Sequence, residues 1–67
     1  MIISDHYEIV ATSHSLGERR WKRCTMVFAK FSADQAISRL GYDRAVIKSI
    51  EIPNEELYVI EKIGSNV

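Results

Sequence analysis

Near the amino end, the largely apolar stretch Tyr7-Glu8-Ile9-Val10-Ala11-Thr12 is rich in β-forming types, as is Cys24-Thr25-Met26-Val27-Phe28-Ala29. The pattern predicts strands over residues 7–13 and 22–31, joined as a hairpin centred on Gly17-Glu18. Paired residue numbers would then sum to 35, setting Tyr7 opposite Phe28, Ile9 opposite Met26 and Ala11 opposite Cys24 on one face. The other face would carry Val10 with Thr25 and His14 with Trp21. A one-residue slip would mix the two sets, which argues for a defined register, with a shift of two through the loop at residues 16–20 as the alternative.

The period then changes. Ala33, Ala36, Ile37 and Leu40 recur at helical offsets, and Ser32 with Gln35 has the spacing of a capping box, which predicts a helix of about two turns over residues 33–40. Gly41 is placed to take the left-handed conformation beyond its end. So short a helix must lie on a sheet to persist. Residues 44–52 read as a third strand with Val46, Ile50 and Ile52 on one face, interrupted by Lys48. Pro53-Asn54-Glu55-Glu56 reads as a turn, residues 57–63 as a fourth strand and residues 64–67 as a tail. The expected fold is α+β: a small antiparallel four-stranded sheet with one short helix on one face, in the order β-β-α-β-β. Tyr7, Ile9, Met26, Phe28, Ile37 and Leu40 are the expected core. One short helix leaves part of the sheet to meet water, a partner or a second copy.

The run Arg19-Arg20-Trp21-Lys22-Arg23 holds four of the nine cations around the only tryptophan. In the register above it projects from the hairpin tip. Its plain reading is a solvated loop that keeps an edge soluble. Its functional reading is a contact for an acidic protein groove or for nucleic acid, since Arg and Trp dominate binding hot spots and also grip phosphate and stack on bases. Arg19, Arg20, Trp21, Lys22 and Arg23 are the candidate partner-binding residues, with His14 and Lys30 as secondary ones. Glu51, Glu55, Glu56 and Glu61 make the second hairpin acidic, which reads as a solvated turn or as a surface for a basic partner.

Composition narrows the classes. The 67 residues make a single domain, 1–67, near the lower limit for unaided folding, and 46% hydrophobic content is ample for a core. Nine cations and nine anions cancel, unlike a DNA mimic or a general nucleic-acid coat. The halves differ: residues 1–30 hold five cations and three anions, residues 31–67 four and six. One cysteine allows no intrachain disulfide, and no apolar run has signal-peptide or membrane-spanning length. The chain reads as cytoplasmic, with no membrane contact.

No catalytic residue, metal ligand or cofactor is expected. His6 and His14, on one strand, would lie roughly 27 Å apart at ~3.4 Å per residue, so they cannot share a metal. Cys24 reads as a buried structural thiol. Ser13, His14, Ser15 and Glu18 crowd one loop, but serine and histidine are ordinary turn residues. Glu55 and Glu56 are adjacent and so directed apart, and Gly17, Gly41 and Gly64 stand alone rather than in a phosphate-cradling motif.

In size and element order the chain resembles small phage and mobile-element proteins that disable host machinery. These include anti-CRISPR proteins that sit on type I surveillance complexes and the short phage inhibitor of bacterial RNA polymerase. Tyr7-Glu8-Ile9-Val10, Ala29-Lys30-Phe31-Ser32-Ala33-Asp34-Gln35-Ala36 and Ala45-Val46-Ile47-Lys48-Ser49-Ile50-Glu51 carry the likeness. It is one of pattern and transfers no functional residue. It implies a non-enzymatic inhibitor or modulator that occupies the surface of a host protein or ribonucleoprotein complex. The rival readings are a direct nucleic-acid binder using a basic hairpin, and a homodimer joined through the uncovered sheet face or an edge strand.

Overall fold

The computed structural model describes residues 5–52 and 54–62. Strands β1 (Tyr7–Ser13) and β2 (Gly17–Arg23) are followed by helix α1 (Met26–Ser38), then β3 (Arg44–Ser49) and β4 (Glu56–Glu61). The four strands form one antiparallel sheet in the order β2-β1-β3-β4, with α1 on one face. The chain is α+β in the expected element order. Pro53, Ile63 and the tail at 64–67 lie outside the described residues.

The first hairpin corrects the expected register. Tyr7 pairs with Arg23, Ile9 with Trp21 and Ser13 with Gly17, so the turn is His14-Ser15-Leu16 rather than Gly17-Glu18. Ser13 Oγ accepts from the backbone N–H groups of Ser15 and Leu16 at 3.2 and 3.1 Å, and Gly17 takes φ +79° to rejoin the ladder. The basic run is therefore the body of strand β2, not a projecting tip, and His14 does not face Trp21.

The second correction is the helix, which begins six residues before Ser32. Thr25 is extended (φ −128°, ψ 154°), and its Oγ1 accepts from the Phe28 N–H at 3.2 Å, which makes it the N-cap. Val27 and Phe28 favour strands by type. The tertiary seat overrides that preference, because Ala29, Ala33 and Ala36 form a helical stripe that is fully buried against the sheet. Ser32 lies inside the helix, so it caps nothing.

Alanines on both sides let helix and sheet approach closely. Ile9, Ala11, Ala45 and Ile47 meet the Ala29-Ala33-Ala36 stripe, with Tyr7, Trp21, Met26, Ile37, Tyr58 and Ile60 packed around them. Among the described residues only Ile9 and Ile47 are large and fully buried. Phe28 and Leu40, expected in the core, are 57% and 46% exposed. β3 also presents a different face from the one expected: Ala45 and Ile47 point to α1, while Ile50 and Ile52 lie beyond the strand and are exposed.

The opposite sheet face is laced with charge. One cross-strand row reads Lys22, Glu8, Lys48 and Glu56, and another Glu18, Thr12, Arg44 and Glu61. Between them Arg20 lies beside Val10, Val46 and Val59. Arg44 reaches Glu61 at 3.2 Å and Glu56 at 3.8 Å. Opposite charges across neighbouring strands suit a face that meets water.

The last turn of α1 hands the chain back to the sheet. The Arg39 and Leu40 N–H groups both donate to the Gln35 carbonyl, Tyr42 donates to Ala36, and Gly41 sits at φ +89°. A Cβ there would meet only Leu16 Cδ1 at 3.7 Å, an ordinary contact. Gly41→Ala therefore tests the backbone alone. It should lower unfolding free energy by about 1–2 kcal/mol, the cost of left-handed backbone with a side chain. Urea melts with an unchanged slope check this, and an unchanged midpoint contradicts it.

Candidate docking face at the β2 edge

Strand geometry splits the basic run between the two faces of the sheet. Arg19, Trp21 and Arg23 share the α1 side, whereas Arg20 and Lys22 point to the charged side. The Trp21 ring meets Tyr42 edge-on at 6.1 Å, and the Arg19 guanidinium lies 5.1 Å from its centroid. Trp21 is thus half-buried and structural on one side, and one face of its ring already carries a cation.

Arg20 is engaged elsewhere. Its Nε donates to Glu18 at 2.7 Å and its Nη1 to Glu8 at 3.3 Å. The Glu18 hydrogen bond and charge, with the Glu8 charge, hold the guanidinium pKa above its ordinary value. Arg20 keeps its charge, but two carboxylates balance it. The five candidate residues therefore do not lie in one cluster but are divided between the two sheet faces. The secondary candidates lie apart as well. His14 sits in the turn with its backbone N–H on Asp43 Oδ2 at 3.2 Å, and the Lys30 amino group stands 5.1 Å from the Tyr58 ring centroid.

The structure instead joins Trp21 and Arg23 to residues of α1. Between β2 and the helix runs a groove of about 250 Å³, lined by those two with Phe28, Phe31, Ser32 and Gln35, and by Leu40 beyond the helix end. Phe28, Ser32 and Gln35 follow one another at offsets of four and three, so they form a stripe along the helix beside the buried alanines. α1 packs mainly on the central strands and least on β2, which leaves the groove open. Phe31 is 61% exposed, and Val27, next to it on the outer surface, is exposed too. Contiguous exposed apolar surface with a polar rim marks interaction sites in soluble proteins.

The sequence does not by itself single out Phe28, Phe31, Gln35 and Leu40, because it places Phe28 and Phe31 in a strand, Gln35 in a capping box and Leu40 in the core. A signal was present. Once Ala29, Ala33 and Ala36 are taken as the buried stripe, Val27, Phe28 and Phe31 fall off it, and apolar residues off the buried stripe need another occupant.

The chain matches no family model, and no curated protein or solved structure matches it either. Chemistry must therefore be read from the groove itself. Cys24, half-buried just after β2, lies close in sequence. Among the described residues no three His, Cys, Asp or Glu side chains converge as metal ligands would. No helix among them is long and apolar enough to cross a membrane.

Proposed function

We propose that this chain is a non-enzymatic binding protein that docks by its β2–α1 face onto an acidic surface of a protein or ribonucleoprotein complex. The observation that carries the reading is the aromatic-lined groove with a polar rim at the sheet edge, in which exposed Phe28 and Phe31 share a lining with Trp21 and Arg23. Aromatic residues with arginine beside them are the composition of interface hot spots. At about 250 Å³ the groove is smaller than the roughly 300–1,000 Å³ clefts that hold small molecules, and it suits an inserted side chain. A protein target is favoured over nucleic acid because Arg20 is balanced by Glu8 and Glu18, and Arg19 covers one face of Trp21. The narrower reading, inhibition of a host complex in the cytoplasm as anti-CRISPR proteins do, rests on the likeness of size and element order, and a lone cysteine suits a reducing compartment.

Phe28→Ser with Phe31→Ser is the variant that tests the face. Both side chains are more than half exposed, so stability should stay within about 0.5 kcal/mol of the parent. Affinity-tagged parent protein should retain a nuclease-resistant partner that the double variant loses, while Val59→Ser, on the opposite sheet face, keeps it. A double variant that binds as well as the parent, or a partner released by nuclease, contradicts the reading.

A further inference from the structure

We infer that β2 receives an acidic, extended peptide segment as a fifth strand, with an apolar side chain of that segment seated in the α1–β2 groove. This rests on the proposed docking face and specifies its ligand.

β2 ends the sheet, and among the described residues it pairs with β1 alone. An edge strand offers a row of backbone donors and acceptors on its outer side, which is the template for strand addition. The groove lies along that same edge, on the face that alternate residues of an added strand would share. Backbone bonds and a side-chain slot are therefore aligned in one place.

The charges specify the segment. On the groove face Arg19 and Arg23 flank Trp21 at two residues on either side. In an added strand, the residue opposite Trp21 meets the groove and its neighbours two positions away meet the two arginines. The ligand is thus acid-x-apolar-x-acid in an extended conformation. A second copy paired through its own β2 about Trp21 would instead set Arg19 opposite Arg23 and Arg20 opposite Lys22. Like charges directly opposite one another destabilise such a pair.

The probe is a fluorescein-labelled peptide, Thr-Glu-Val-Phe-Val-Glu-Thr, titrated with the intact protein and read by fluorescence anisotropy, with amide hydrogen exchange of β2 followed in parallel. Saturable binding is expected, with new protection of β2 amides. Exchanging both Glu for Lys, methylating the backbone nitrogens that face β2, or using the Phe28→Ser, Phe31→Ser protein should each weaken it by about tenfold or more. If the methylated peptide binds as tightly as the parent peptide, strand addition is wrong while the docking face stands. If the peptide binds the double variant equally well, both readings fall. Absence of saturable binding by the acidic peptide, or self-association of the protein that the peptide does not displace, also overturns the inference.

Discussion

Ile47→Ala is expected to bring the protein close to unfolding at room temperature. Ile47 is, among the described residues, one of two large, fully buried side chains, on a central strand between Ile9 and Tyr58 and beneath the alanine stripe of α1. Truncating such a residue costs about 2–5 kcal/mol, through lost burial and the cavity left behind. The surrounding alanines have no side-chain length with which to fill that cavity. At ~0.05–0.15 kcal/mol per residue, a domain of this size has a total stability of about 3–10 kcal/mol. Thermal and urea melts followed by circular dichroism measure the loss, and a midpoint within a degree or two of the parent would show that the core lies elsewhere.

Trp21→Ala is expected to have the second largest effect, and to act on fold and binding together. Complete burial would make its loss worth about 3–5 kcal/mol; Trp21 is half-buried, so about 1.5–3 kcal/mol is the expected cost. That includes the edge-on contact with Tyr42 and the Arg19 stack, both of which vanish. The groove loses its floor at the same time, so affinity falls even when the protein is held folded at low temperature. Comparing Trp21→Ala with Phe28→Ser, Phe31→Ser separates the two roles. The first should lower the melting midpoint and weaken binding, and the second should weaken binding alone. If Trp21→Ala melts like the parent, the tryptophan is not part of the packed structure.

The two effects have one origin. A helix seated through alanines can approach the sheet closely, and its larger apolar residues then have no room beneath it. Phe28 and Phe31 are left at the side and on top, next to the strand that α1 covers least. The protein therefore has a thin core and, beside it, a small aromatic-lined groove that the helix leaves open.

By itself the sequence determined the number, order and type of the elements. β-forming residue types over 7–12 mark β1, and the helical spacing of Ala33, Ala36 and Ile37 marks a helix. Gly41 takes its positive φ as expected, because few other residues accept that backbone. These features are local, and each is set by the residue or its near neighbours. What only the tertiary structure decided is register and face. Met26-Val27-Phe28 suits a strand as well as a first helical turn, and the choice depends on whether Ala29 finds a sheet to lie on. That choice moved the hairpin turn to Ser15, drew Arg19 to Arg23 out of a presumed tip into strand β2, and set alternate cations on opposite faces. It also paired Arg20 with Glu8, twelve residues away, and brought Trp21 to Phe28 and Phe31 across the groove. Such contacts join residues whose spacing along the chain carries no period, so only the packed molecule fixes them.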